Sequence, residues 1–304
     1  MFYNCANLNY INCLATDISA SNCTYNWVSG VASTGTFIKY PDMNSWTTGV
    51  NGIPTGWDIN EMRYVAFTAQ QDNSSIGLVQ LSTNQILEYS TDTTTWSLFD
   101  KDTNIALNNG DKVYVRGILS ADNTESNYTQ FNMTGRISAS GNCNTLWNYQ
   151  DLNTPLKAWC GCAMFSGCTS LTTAPELPAA ELAMGCYGYM FGYCSSLTTA
   201  PELPATTLDI NCYSFMFYDC KNLNYIKCLA TDISANECTI HWVDGVASEG
   251  TFVKHPDMNN WSAGVNSIPT SWTVKDMDLP YVTFTAQQNN SSIRLAKLST
   301  NQTM

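Results

Sequence analysis

The feature that most constrains the fold is a 26-residue repeat between positions 160 and 229. Copies begin at Cys160, Cys186 and Cys212, and each continues with Met-Phe-x-x-Cys-x-x-Leu. The first two copies end in Ala-Pro-Glu-Leu-Pro. A repeat this short cannot bury its apolar side alone, so neighbouring copies must stack. The spacing therefore predicts a solenoid.

The core of this solenoid is predicted from the residues that recur in register. Each copy supplies two cysteines, one methionine, one phenylalanine and one leucine. We expect their side chains to stack inward from copy to copy, because one position repeated in three copies indicates one packing role. The predicted core residues are Cys160, Met164, Phe165, Cys168, Leu171, Cys186, Met190, Phe191, Cys194, Leu197, Cys212, Met216, Phe217, Cys220 and Leu223.

Within one repeat, the sequence predicts one short helix and one short strand. Apolar residues at 186, 187, 190, 191 and 194 follow helical spacing. Residues 196–203 are rich in threonine and close with proline, which is typical of a strand with a kinked end. The expected fold class is α+β but mostly β, with parallel strands stacked along the solenoid.

The repeat resembles the BspA-like leucine-rich repeats of bacterial surface proteins. That family carries Ala-Phe-x-x-Cys-x-x-Leu-x-x-Ile, and here Met-Phe-x-x-Cys-x-x-Leu-x-x-Ala stands at 164–174 and 190–200. Met216 to Ile226 is closer still, whereas the Ala-Pro-Glu-Leu-Pro tail departs from the pattern. The resemblance covers 160–254 and, by a second match, 1–39. It implies a leucine-rich-repeat solenoid and attachment to a bacterial surface.

The chain also contains a long internal duplication. Residues 1–57 match residues 216–272. The chain is therefore expected to begin inside a repeat and to be a fragment of a longer protein. Residues 35–39 and 250–254 are predicted to be final edge strands of the solenoid. The tryptophans after them, Trp46, Trp57, Trp261 and Trp272, are interpreted as packed turns, with a ligand platform as the alternative.

Between the two solenoid segments, the sequence predicts an antiparallel β-sandwich. Short apolar segments alternate with turn residues, and the predicted strands are 65–69, 76–81, 86–90, 96–99, 112–116 and 131–137. Residues 281–288 match 64–71 and would start a second sandwich. The predicted domains are 1–62 (solenoid end and cap), 63–145 (Ig-like sandwich), 146–279 (solenoid with cap) and 280–304 (start of a second sandwich).

Composition limits the partners. The net charge is −12, with 13 Lys and Arg against 25 Asp and Glu and no basic cluster. This balance argues against binding to nucleic acid or to anionic membranes. The sequence contains no apolar run long enough to insert into a membrane. With few charges and much Asn, Ser and Thr, the chain is expected outside the cell, on a bacterial surface or in a phage virion.

The 13 cysteines recur mainly at repeat positions, which favours buried, reduced thiols acting as small hydrophobes. A zinc site is the alternative, but Cys160 and Cys162 are separated by one residue, which is fewer than zinc ligands usually have between them. A cysteine nucleophile would need a histidine base. His241 and His255 align with Asn26 and Tyr40 in the duplicate, so neither histidine recurs. We therefore expect no enzyme activity, no metal and no cofactor.

Three functions remain open. The first is a non-enzymatic adhesion module that binds a surface protein or glycan; the second is a spacer or stalk, as in a phage tail fibre. The third is the non-catalytic part of a glycan-active enzyme. For the first, the candidate binding surface is a polar strip flanking the inward leucines: Thr172, Glu176, Thr198, Glu202, Asn224 and Lys227.

Overall fold

The computed structural model describes residues 1–277 except 14, 16, 17, 19 and 40–45. The described part of the chain is nearly all β, with one short helix, α1 (Asn144–Asn148). The strands are β1 (Tyr10–Cys13), β2 (Thr36–Lys39), β3 (Asp58–Glu61), β4 (Val65–Ala69), β5 (Ser74–Gln80), β6 (Gln85–Ser90), β7 (Ser97–Leu98), β8 (Asn104–Leu107), β9 (Lys112–Leu119), β10 (Gln130–Thr134), β11 (Ile137–Ser140), β12 (Leu171–Thr173), β13 (Tyr225–Cys228), β14 (Thr251–Lys254) and β15 (Thr273–Asp276).

The 26-residue repeats form stacked coils, and the short helix predicted in each repeat is wrong. Residues 158–167, 184–193, 210–219 and 236–245 are runs of consecutive turns, which we call the turn segments of coils 1 to 4. Every fourth residue has φ between 49° and 76°, in the left-handed region. These residues are Trp159, Ala163 and Gly167; Gly185, Tyr189 and Tyr193; Asn211, Phe215 and Asp219; and Glu237, His241 and Gly245.

The turn segments bind one another through their backbones. Every second amide donates within its own coil to the carbonyl three residues earlier, as from Gly188 to Gly185 at 3.0 Å. The intervening amides donate to the next coil: those of Tyr187, Tyr189 and Phe191 bond the carbonyls of Cys212, Ser214 and Met216 at 2.8–3.0 Å. An α-helix would satisfy its interior amides internally and leave none for a neighbour. The turn segments therefore replace helices in this solenoid.

Inside the coils, equivalent side chains stack along the solenoid. All fifteen predicted core residues are buried, each at most 1% exposed. The rings of Phe165 and Phe191 stack with centroids 5.5 Å apart, and Phe217 continues the row at 5.8 Å. A second row pairs Tyr187 with Tyr213 at 6.3 Å. Stacked rings of this kind contribute more than their buried area alone.

The cysteines are free thiols, and one set of them links the coils. The Sγ atoms of Cys194 and Cys220 lie 3.1 and 3.0 Å from the carbonyl oxygens of Phe165 and Phe191 in the preceding coil. The Cys168 thiol donates likewise to Phe131 at 3.3 Å. Each thiol thus fills an apolar site and also donates a weak hydrogen bond. Ten cysteines are buried, whereas Cys5 and Cys23 are exposed and Cys13 is partly exposed.

The duplication is visible as two matching parallel sheets. Strand β14 pairs with β13 on one side and β15 on the other, all parallel. In the first copy, β1, β2 and β3 pair in the same order. The strands predicted at 35–39 and 250–254 are present as β2 and β14, but their predicted position at the edge is wrong, because each is the middle strand of its sheet. Lys254 was expected to prevent further strand pairing at an edge, but its Nζ lies 2.8 Å from Asp276 Oδ1 on the neighbouring strand β15.

The tryptophans that follow these middle strands pack inside the fold. The indole nitrogens of Trp57 and Trp272 donate to the carbonyls of Ala32 and Ala247 at 2.8 and 2.7 Å. Trp46 and Trp261 are partly exposed and pack against the apolar clusters. The rings of Trp261 and Trp242 meet edge to face at 5.5 Å.

Residues 65–140 form two sheets with antiparallel pairing. One contains β10, β5 and β8; the other contains β11, β4, β9, β6 and β7, with β12 added in parallel to β11. The predicted strand at 65–69 is present, the predicted strand at 131–137 is two strands, and β8 was not predicted. Gly135, at φ 78°, lies between β10 and β11. The second sandwich, predicted at 280–304, lies outside the described residues.

These sheets continue into the solenoid without a break in the core. Phe131 on β10 stacks on Phe165 of coil 1 at 5.2 Å, and its amide donates to the Met164 carbonyl at 2.8 Å. Further amides of this segment, those of Ile137 and Cys143, bond carbonyls of coil 1. The residues from β10 to α1 thus cover the first coil. The boundary between 63–145 and 146–279 stays a prediction, and a single apolar cluster crosses it.

We predict that Leu197→Ala will lower the free energy of unfolding by about 2–5 kcal/mol, because it leaves a cavity between coils. Leu197 is fully buried. The measurement is chemical denaturation followed by circular dichroism. The matched control is Thr199→Ala, an exposed residue two positions later, which should change stability by no more than about 0.5 kcal/mol. Equal effects of the two substitutions would contradict the stacked core.

We also predict that a maleimide reagent at pH 7 will label Cys5 and Cys23 rapidly and Cys194 only after unfolding. The first two thiols are exposed and the third is buried. Burial, and then the neighbouring Cys168 and Cys220, raise the pKa of Cys194 well above its usual range, so it stays a thiol. Peptide mass spectrometry before and after denaturation locates the labels. Native labelling of Cys194 as fast as Cys23, or fewer than 13 reactive thiols after denaturation, would refute this.

Candidate functional site

The first half of the predicted strip, on the strand side of the coils, is partly engaged in internal contacts. Thr172 is half-buried, and its hydroxyl lies 2.9 Å from Gln70 Oε1 and 3.1 Å from the carbonyl oxygen of Ile137. Glu176 is exposed, and its main chain forms an isolated bridge with Asn142. Thr172 therefore helps to join coil 1 to the antiparallel sheets, while the carboxylate of Glu176 reaches the surface.

The second half of the strip contains an ion pair. Glu202 Oε1 and Lys227 Nζ lie 2.9 Å apart, with the two side chains 52% and 29% exposed. Thr198 and Asn224 are exposed, and the backbone amide of Asn224 donates to the backbone carbonyl of Thr198 at 2.9 Å. Charge on the strip is thus partly neutralised, because the lysine of coil 3 pairs with the glutamate of coil 2.

Three of the six strip residues, Thr172, Glu176 and Thr198, line one groove of about 400 Å³. The groove is lined by coils 1 and 2 and by Ala139 and Ser140 of β11, with Pro201 in its wall. A proline has no amide to donate to the neighbouring strand, so pairing is interrupted here. Asn224 lies apart, in a separate open hollow of about 570 Å³. The structure therefore brings together half of the predicted strip.

A second surface, on the turn side of the coils, was not predicted. The ring of Tyr189 stacks on Phe215 at 4.6 Å between centroids, and Phe215 stacks on the imidazole of His241 at 5.2 Å. These three residues occupy one register position and all have positive φ. Their side chains are only partly buried, unlike those of the inner rows. The equivalent residue in coil 1 is Ala163.

Beside this row of rings lies a cleft of about 540 Å³ that is lined by residues of all four coils and that we call the aromatic cleft. Tyr128 approaches from the antiparallel sheets, and the indole of Trp159 lies over Gly185, where a side chain would clash with it. The lining residues are Glu125, Tyr128, Gln130, Trp159, Cys162, Ala163, Ser166, Gly188, Tyr189, Asn211, Ser214, Phe215, Glu237 and Ile240.

The aromatic cleft is acidic. Glu125 and Glu237 line it and are exposed, and the described lining residues include no Lys, Arg or His. Burial, and then the charge of Glu125, raise the pKa of Cys162 to about 12. The Cys162 thiol therefore stays protonated at neutral pH and lines the cleft as an apolar group rather than a nucleophile.

Neither histidine is among the lining residues, although His241 stacks on Phe215, which lines the cleft. His241 Nδ1 is 3.2 Å from Asp244 Oδ2, and His255 Nδ1 is 3.7 Å from Asp257 Oδ2. Among the described residues, no group of three His, Cys, Asp or Glu side chains is placed to hold a metal ion. The groove presents threonine and serine hydroxyls and the carboxylate of Glu176, and the cleft presents aromatic rings and two carboxylates.

Comparisons of the chain with protein-family models, with curated proteins and with solved structures return no match. The resemblance to BspA-like repeats therefore rests on the motif residues alone and stays a hypothesis. Within the described residues, none of the helical structure has the length and apolar character needed to cross a membrane.

Proposed function

We propose that this chain is a non-enzymatic interaction module that attaches to a glycan or protein on a surface outside the cell. The observation that carries the proposal is the groove on the strand side, where the exposed Glu176 and Thr198 present a carboxylate and a hydroxyl from adjacent coils. Such a groove suits an extended partner that makes several weak polar contacts, since affinity can accumulate along the two coils.

As part of this proposal, the coils are divergent leucine-rich repeats of the BspA-like kind, alternating with β-sandwich modules. The motif residues and the parallel strands on one side of the coils support this interpretation. The turn segments depart from it, because such repeats were expected to carry short helices. The acidic, Asn-, Ser- and Thr-rich composition supports a place on a bacterial surface or in a phage virion.

A spacer or stalk is the second candidate, and one observation favours it. Phe131, Phe165, Phe191 and Phe217 form a row of stacked rings that runs from the antiparallel sheets into the coils. A core that is continuous across both parts resists bending between them. Such a unit could hold other domains at a fixed distance, with or without binding a partner itself.

The test is a double substitution, Thr198→Arg with Glu202→Arg, in a fluorescently labelled chain applied to a printed glycan array and to whole bacterial cells. Thr198 lines the groove, and Glu202 lies on the same strip, where it pairs with Lys227. We expect bulk in the groove and reversed charge beside it to reduce binding by about tenfold or more. The matched control is Thr169→Arg with Glu181→Arg, which makes the same charge change at exposed residues outside both the groove and the predicted strip.

Folding of both variants is checked by circular dichroism and thermal unfolding. Wild-type binding by a folded groove variant would show that the groove is not the binding surface. A labelled chain that binds neither glycans nor cells would contradict the interaction module and favour the spacer.

A further inference from the structure

The aromatic cleft combines three features that together indicate a site for a small charged molecule. It contains ring side chains from separate parts of the chain: Tyr128, Trp159 and Tyr189. It contains two carboxylates, those of Glu125 and Glu237. Its volume of about 540 Å³ lies within the range of small-molecule sites, roughly 300–1,000 Å³.

The row of stacked rings ends at this cleft with one ring face uncovered by the row. Phe215 covers one face of Tyr189, with their planes 11° apart. The next residue in register on the other side is Ala163, which carries no ring, and both Ala163 and Tyr189 line the cleft. The face of an aromatic ring carries the negative part of its quadrupole, which attracts a cation placed over it.

The charges around the cleft also favour a cation. The described lining supplies carboxylates but no basic group, and the whole chain carries a net charge of −12. Clefts lined by one sign of charge concentrate the opposite ion. An inorganic metal ion is disfavoured, because no group of three ligand side chains lies together in the described part of the chain. Rings beside carboxylates suit a bulky, weakly hydrated cation instead.

We propose that the aromatic cleft binds an organic ammonium group, either quaternary or alkylated, with its methyl groups against Tyr189 and Trp159 and its charge balanced by Glu125. The remaining volume accepts the chain that carries the ammonium group. The site is separate from the strand-side groove and does not depend on the proposed function.

Isothermal titration calorimetry with choline chloride tests this, against 3,3-dimethyl-1-butanol, a neutral analogue of the same shape, and N-acetylglucosamine. We expect choline to bind, the neutral analogue to bind about tenfold more weakly or not at all, and the sugar not to compete. Added salt should weaken choline binding, because exposed carboxylates contribute to it.

Two variants locate the site. Glu125→Gln removes an exposed charge without altering packed residues and should weaken choline binding several-fold. Tyr189→Leu removes the ring face and should also weaken choline binding several-fold. The pair Thr198→Arg and Glu202→Arg, on the strand side of the coils, should leave choline binding unchanged. The proposal is overturned if choline does not bind, if the neutral analogue binds equally well, if the sugar displaces choline, or if folded Glu125→Gln protein binds choline as wild type does.

Discussion

The hydrogen bonds between turn segments are the interaction on which the rest of this structure depends. In each turn segment, every second backbone amide donates to a carbonyl of the next coil, as from Tyr187 to Cys212. The other amides close the turns locally. Backbone groups buried between coils are therefore paired, which buried amides and carbonyls require. Coils held in this register place equivalent side chains directly over one another.

This backbone arrangement has a conformational cost, which the sequence partly avoids. Non-glycine residues in the left-handed region cost of order 1–3 kcal/mol each. Gly167, Gly185 and Gly245 occupy such positions, as do Asn22 and Asn26 in the first copy. Tyr189 and Phe215 also adopt it, and there the adjoining coil-to-coil bonds and ring stacking offset the strain. The surface row of rings, and hence the aromatic cleft, is a consequence of these same positions.

The sequence predicted the register of the coils because identical residues recur in it. It did not predict the turn segments, for a physical reason. Their backbone repeats every four residues, so apolar side chains at 186, 190 and 194 share a face in a turn segment much as they would in a helix of 3.6 residues per turn. Strand β15 was missed because all four of its residues are exposed and carry no buried alternation. The cleft was missed because Ala163, Tyr189, Phe215 and His241 share a register but not a residue type.

The central claim is that amides of one turn segment bond carbonyls of the next coil. Scalar couplings across hydrogen bonds, measured by NMR on deuterated, isotope-labelled protein, test it directly. The account predicts correlations from the amide nitrogens of Tyr187, Tyr189 and Phe191 to the carbonyl carbons of Cys212, Ser214 and Met216. Correlations from the same amides to the carbonyl carbons four residues earlier in their own coil would reveal a helix and contradict it.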